Sequence, residues 1–325
     1  MRRHHHLLLL GAFLLAPLIA PTAAAQSFPN RQIRLVIPFP PGGGTDIAAR
    51  LVGEKLAAQL KQTVVPDNKP GANGVIASEL VARAAPDGYT LLVATGSSHA
   101  FAPALGVKLP FDPVKDFIPV ALIGQFPTVL VVNPAVPGKT LRDFVDYARQ
   151  NPKKLNYGSA GNGSTNHFLG ELLKQTAGLD MVHVPYKGSG PAAQDLLGGQ
   201  IHAMVDSVAA AKGNIEAGKL RALGVTTAQR VAQLPDVPTL KEGGIDIEYA
   251  GWVIVMAPAG TPADVVTTLH DAFTAAMADP AVIDRYGKQG IVIRTMGLAE
   301  LPVYLRGDKE RWAKVAAQAG LKAEQ

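Results

Sequence analysis

Residues Ile33 to Ile37 form a short apolar run that leads into Pro38-Phe39-Pro40-Pro41-Gly42-Gly43-Gly44-Thr45-Asp46, and a helical pattern follows from Ile47 to Leu60. A strand that turns through three glycines into a helix is the opening of a βα unit, so the chain is restricted to folds assembled from such units. Glycine lets the backbone adopt φ > 0 and approach a ligand closely. Thr45 or Asp46 can cap the helix, which leaves Gly42–Asp46 presenting unpaired N–H groups at a positive helix end. That corner suits an anion, a carboxylate above all. An ordinary strand-to-helix turn is the plainer alternative.

The same unit recurs down the chain. Gln62–Asp67 reads as a second strand, and the turn cluster Lys69–Gly74 opens a helix from Val75 to Ala84. Thr90–Ala94 is a third strand running into the small polar loop Thr95-Gly96-Ser97-Ser98-His99. Ligands of open α/β sheets sit outside the carboxyl ends of strands, so this loop and the glycine corner should converge on one crevice. Val120–Ile123 and Val129–Val132 read as two extended pieces separated by Gly124-Gln125-Phe126-Pro127, where a crossing to a second lobe fits.

Beyond that crossing, Thr140 caps a helix, and the strand Leu155–Tyr157 meets a second glycine-rich corner, Gly158–Thr165. A helix follows it to about Thr176. Strand Met181–Val184 then leads through Pro185-Tyr186-Lys187-Gly188 to a helix with Pro191 at its first position, which suits a residue lacking N–H. Ile201–Val205 is a strand ending at Asp206-Ser207, Ala222–Thr226 is another, and Tyr249–Ala257 reads as the second crossing strand. Helices over 263–278, 280–286 and 300–319 and a strand Gly290–Arg294 close the chain. The expectation is an α/β clamshell: lobe one from residues 26–125 plus 227–325, lobe two from 126–226, joined by two crossing strands and closing by a hinge.

Residues 1–25 stand apart. Arg2 and Arg3, the apolar run Leu7–Leu15 and Ala23-Ala24-Ala25 have the layout of a cleavable secretory signal, with cleavage near Ala25. A membrane anchor fits less well, because the run is short and Pro17 and Pro21 interrupt its end. The chain has no cysteine, which excludes lipid attachment at a cysteine and a disulfide framework. The reading is a free periplasmic protein. Without Arg2 and Arg3 the 31 basic residues become 29 against 26 acidic ones, and no basic run of nucleic-acid type occurs.

The spacing excludes nucleotides: there is no Walker loop, and neither glycine corner has the G-x-G-x-x-G pattern. No metal pattern occurs either, so no cofactor or metal is expected. Ser159 or Ser164 with His99 or His167 invites a hydrolase reading, but no G-x-S-x-G elbow is present. His167 is expected to pack or cap locally, His183 to be structural, and His99 to lie at the cleft or close its loop. Tyr186 and Lys187 share the cleft edge, where Lys187 either pairs with an anion or is solvated. Asp206 either receives a ligand amine or hydroxyl or fixes its loop. Phe39 and Trp252 either wall the cleft or, for Trp252, fill the core.

Ile37–Asp46 with Ala49-Arg50, Asn68-Lys69-Pro70-Gly71-Ala72-Asn73-Gly74, Pro86-Asp87-Gly88-Tyr89-Thr90-Leu91 and Tyr157–Ser164 occur in this order. Val184-Pro185-Tyr186-Lys187-Gly188 and Ala257-Pro258-Ala259-Gly260-Thr261-Pro262 complete the series. Together they resemble the Bug receptors, the substrate-binding proteins of tripartite tricarboxylate transporters. The resemblance implies a type II periplasmic-binding-protein fold that closes on a small carboxylated solute, with a permease as partner and no catalysis. It carries a carboxylate-holding role onto Gly43, Gly44, Thr45, Asp46, Ser159, Gly163 and Ser164. With Phe39, Ser97, His99, Tyr186, Lys187 and Asp206 these make up the expected ligand set. A monomeric solute receptor is the leading expectation; a ligand-presenting sensor subunit and a secreted serine hydrolase are the alternatives.

Overall fold

The computed structural model describes residues 28–322. The leader expected over residues 1–25, with its cleavage at Ala25, lies outside the described residues.

Lobe one begins with β1 (Ile33–Ile37), α1 (Gly44–Leu60), β2 (Val64–Asn68), α2 (Val75–Ala82) and β3 (Thr90–Thr95). β1 lies parallel to both β2 and β3, and α1 covers one face of this sheet with Ala48, Ala49, Val52 and Leu56 fully buried. A π-helical turn over Ser97–Phe101 then runs into α3 (Ala102–Ala104). The polar loop expected at Thr95–His99 is thus largely helical and buried. Phe101 supplies the reason: its ring packs on Phe168, Tyr249 and Trp312 and draws the turn inward.

β4 (Phe117–Val132) is one strand of 16 residues, not two pieces. Its first part pairs antiparallel with β9 (Ala250–Pro258), down to Pro127 opposite Ala250; from Thr128 opposite Ser207 it pairs with lobe two. Pro127, which has no N–H to donate, therefore sits where the pairing changes partner, and Gly124 sits at a register shift. Both residues look like breaks in the sequence, and in the fold they mark where one strand passes from the sheet of lobe one to that of lobe two.

Lobe two contains α4 (Leu141–Gln150), β5 (Asn156–Ser159), α5 (Thr165–Ala177), β6 (Val182–Pro185), α6 (Ser189–Leu197), β7 (Ala203–Ser207), α7 (Val208–Glu216) and β8 (Arg221–Val225). β5 lies parallel to β6 and β7, while β7 and β8 pair antiparallel with β4. Thr140 and Asp143 form a full capping box at the start of α4. Pro191 is the third residue of α6, not the first, because the helix opens at Ser189. α7 has no counterpart in the sequence reading, since its alanines give little periodic contrast.

After β9 come α8 (Ala263–Met277), α9 (Pro280–Lys288) and α10 (Glu300–Gln318). The strand expected at Gly290–Arg294 is reduced to a single bridge between Val292 and Gln125. β9 itself stays on lobe one, so the second crossing is the step from Tyr249, in the core of lobe two, to Ala250. α10 serves both lobes: Leu301 and Leu305 pack with Phe111, Phe117 and Trp252, whereas Trp312 and Ala316 pack with Phe144, Phe168 and Tyr249. The shared strand makes one nine-stranded sheet, ordered β2-β1-β3-β9-β4-β7-β5-β6 with β8 also on β4.

Candidate functional site

α1 begins at Gly44, three residues earlier than its apolar pattern indicates, with Gly43 in the N-cap position and no side chain capping it. Neither Thr45 nor Asp46 caps the helix. Asp46 is buried instead and reaches back: one oxygen accepts the Gly42 amide at 2.9 Å, the other accepts Asn68 Nδ2 at 2.8 Å, and Arg50 Nε spans both. Burial pushes the Asp46 carboxyl up, but the bonds from Arg50, Asn68 and Gly42 outweigh it and hold the group below the ordinary carboxylate range. Asp46 therefore fixes the shape of the corner. Gly42 completes the turn at φ +90°. The amides of the first helical turn lack intrahelical partners by geometry, and they sit at the positive end of a 17-residue helix. Gly44 lies against the hinge, where a Cβ would stand 3.0 Å from the Phe126 ring.

The second corner is more heavily self-bonded than its sequence suggests. Ser164 caps α5 through the His167 amide, and the Gly163 amide donates to His167 Nδ1. Ser159 is fully buried; its hydroxyl bonds His183 Nε2 at 2.7 Å and accepts the Gly161 amide at 3.0 Å. The rings of Tyr157, His183 and His167 stack in series beneath the loop. His167 and His183 thus pack beneath the loop, and the Ser159 hydroxyl is buried and already bonded to His183. The polar side chains of this corner shape its backbone.

The second corner meets lobe one along a seam, and the turn over residues 71–74 that reaches it adjoins the first corner's loop, a Cβ on Gly74 standing 3.0 Å from Pro38. Asn73 Nδ2 donates across the seam to the Asn162 carbonyl, and Ser97 bonds Thr165 at 3.1 Å. On the other rim, Gln233 Nε2 reaches the Gly287 carbonyl at 3.3 Å, and Gly290 abuts Val208. Ser97 is therefore a lobe-to-lobe contact. Asn73, Asn162 and Thr165 belong to the same lobe-to-lobe contact but were absent from the expected set. The signal for Asn73 was the Lys69–Gly74 turn cluster: residues 71–74 all take positive φ, a run that aims the side chain over the seam.

The remaining expected residues separate. His99 is turned into the core of lobe one, its ring 5.7 Å from Phe111 and 5.1 Å from Phe117 and its Nδ1 on Ser98. Burial lowers its pKa to about 3. It drops out of the ligand set, because the turn that carries it folds inward. Trp252 is core, its indole N–H donated to Asp308. Tyr186 gives its hydroxyl to Asp195 at 2.7 Å, while Lys187 is exposed and pairs with no acid among the described residues. Phe39 is half-buried, its carbonyl held by Asn68. Asp206 is buried at the carboxyl end of β7. Among the described residues, no group of three or more His, Cys, Asp or Glu is placed to hold a metal ion. No described helix is long and apolar enough to cross a membrane.

The family model described as "Tripartite tricarboxylate transporter family receptor" matches residues 48–321. A structure of a periplasmic transporter superposes with a TM-score of 0.87 at 40% identity, over 92% of this chain and 100% of the other. Rpa4515 of R. palustris, solved with adipate, has a TM-score of 0.86 at 37% identity, over 91% and 99%. MatC of Rhodopseudomonas palustris, solved with bound malate, has a TM-score of 0.83 at 35% identity, over 89% and 99%.

Proposed function

The chain belongs to the tripartite tricarboxylate transporter receptor family, and from that premise we propose that it captures a small organic acid in the seam between its lobes and hands it to membrane permease subunits. The observation that carries this reading is the bare start of α1: Gly43 with no side-chain cap, and Gly44 beside Phe126 where β4 passes from one lobe to the other. Export through the basic and apolar leader would place the receptor in the periplasm, where its relative of that description works.

The first-turn amides hold the carboxylate, and Asp46 keeps their geometry fixed when the site is empty. Charge-assisted bonds of this kind contribute about 1.5–3 kcal/mol each. A few of them offset the cost of association without a buried arginine, whose desolvation would oppose the empty state. Closure then adds the Asn73–Asn162 and Ser97–Thr165 bonds, so bound and closed states support each other. Adipate and malate in two relatives support di- and hydroxydicarboxylates as the first ligands to try.

A thermal-shift screen of mono-, di- and tricarboxylates on residues 26–325 tests the reading. At least one acid raises the melting temperature in a saturable way, whereas amines and neutral sugars do not. A flat response across a broad acid panel contradicts it.

A further inference from the structure

Asp206 is 6% exposed, and among the described residues the one polar partner of its carboxylate is the amide of its neighbour Ser207, at 2.8 Å. No cation or side-chain donor among the described residues reaches it. Its place in the sheet says where it looks. On β7, Ala203 and Val205 face the α5 side, while Met204 belongs to the opposite apolar cluster with Val129 and Val208. Alternation puts Asp206 on that second face, opposite Val129 in the register. The same face adjoins lobe one where Val208 meets Gly290, next to Ile291 in the cluster that packs beneath α1. Asp206 is therefore on the side of the hinge where α1 starts against Phe126.

A second underused polar group comes from the other lobe. Thr95 ends β3 on the face that Leu91 and Val93 share with α1; its hydroxyl is buried and has no hydrogen-bond partner among the described residues. Buried polar groups without partners are rare and call for an explanation, and a buried carboxylate without a cation is the costliest kind. Here a carboxylate without a cation and a hydroxyl without a partner, among the described residues, stand at the carboxyl ends of strands from the two lobes.

We infer that the solute carries, besides its carboxylate, a protonated amine or a hydroxyl that donates to Asp206, with the Thr95 hydroxyl lining the site from the opposite lobe. The inference rests on the solute-receptor reading above. It makes Asp206 the residue that selects amino and hydroxy acids over unsubstituted ones, since only the substituted acids bring a donor to a carboxylate that otherwise stays buried without one. Burial raises the Asp206 pKa to about 6, consistent with a group lacking its counter-charge in the empty protein.

Isothermal titration of the mature chain at about pH 8 tests this with two matched sets: succinate, malate and aspartate; glutarate, 2-hydroxyglutarate and glutamate. In the wild type at least one substituted acid binds about tenfold or more tighter than its parent, the effect of a hydrogen bond to a charged group. The aspartate and glutamate arms read an ammonium, the hydroxy acids a hydroxyl. In Asp206→Asn that preference falls to within about threefold. Asp206→Ser repeats the test with a smaller side chain. Parent acids binding tightest in the wild type, or a preference unchanged in both variants, overturns the inference and leaves the receptor reading standing. Silence from every acid, in the wild type and in the broad screen, removes the receptor reading itself.

Discussion

Trp252 donates its indole N–H to Asp308 at 2.8 Å, and that bond ties a strand of lobe one to the helix that ends in lobe two. The other Asp308 oxygen takes the indole of Trp312, also at 2.8 Å, and Trp312 is packed on Phe101, Phe168 and Tyr249. One carboxylate thus braces the second crossing on both sides. Burial raises its pKa, partly offset by the two indole bonds.

Replacing Asp308 by alanine strands two buried indole N–H groups at once. We expect a loss of about 2–4 kcal/mol in urea unfolding. Asp308→Asn, which keeps one acceptor oxygen, should lose about half as much. Equal stability of all three proteins would show that the brace is idle.

Asn73 is a separate test, of closure. Its bond to the Asn162 carbonyl exists only when the lobes meet. Asn73→Gly, which keeps the φ +52° backbone unstrained, should leave the melting temperature of the empty protein within about two degrees and weaken binding of the best acid by about three- to tenfold, read by calorimetry. Unchanged affinity would remove Asn73 from the closing contacts.

Gly42 and Gly43 make different demands. Gly42 sits at φ +90°, whereas Gly43 sits at φ −79°, and a Cβ added there would meet nothing within 4 Å. Gly42→Ala should cost about 1–2 kcal/mol and reshape the anion corner. Gly43→Ala should change stability by less than about 0.5 kcal/mol. The pair is compared by chemical denaturation.

His99 sets a pH dependence. Its folded pKa of about 3 lies below the ordinary 6.5, so the unfolded chain takes up a proton that the fold refuses. The contribution is neutral above about pH 6.5 and destabilising as pH falls below it, by about 2 kcal/mol at pH 5. His99→Phe, beside Phe111 and Phe117, should reduce the stability lost between pH 7 and pH 5 by that amount. An identical acid limb in both proteins would contradict the assignment.

Much of this fold was legible because hydrophobic period and glycine placement change together at Ile37–Gly44 and Tyr157–Thr165. What stayed hidden depended on distant partners. Asp46 looks like a cap until Arg50 and Asn68 close on it from either side. Ser97-Ser98-His99 looks like a polar lip, yet Phe101 turns it inward. Gly124 and Pro127 look like a break in a strand because only β9 and β7 together show the strand running through. α10 has an apolar stripe, and a stripe does not say that its two ends lie in different cores.

The central claim is that α1's uncapped start holds a carboxylate against lobe two, and a crystal structure of the mature chain with its tightest-binding acid measures that directly. The account predicts a carboxylate within hydrogen-bond reach, direct or through one water, of the amides at Gly43–Thr45, enclosed by the Ser159–Ser164 loop. An acid bound outside the seam, or held by exposed lysines with the α1 amides left to solvent, would contradict it.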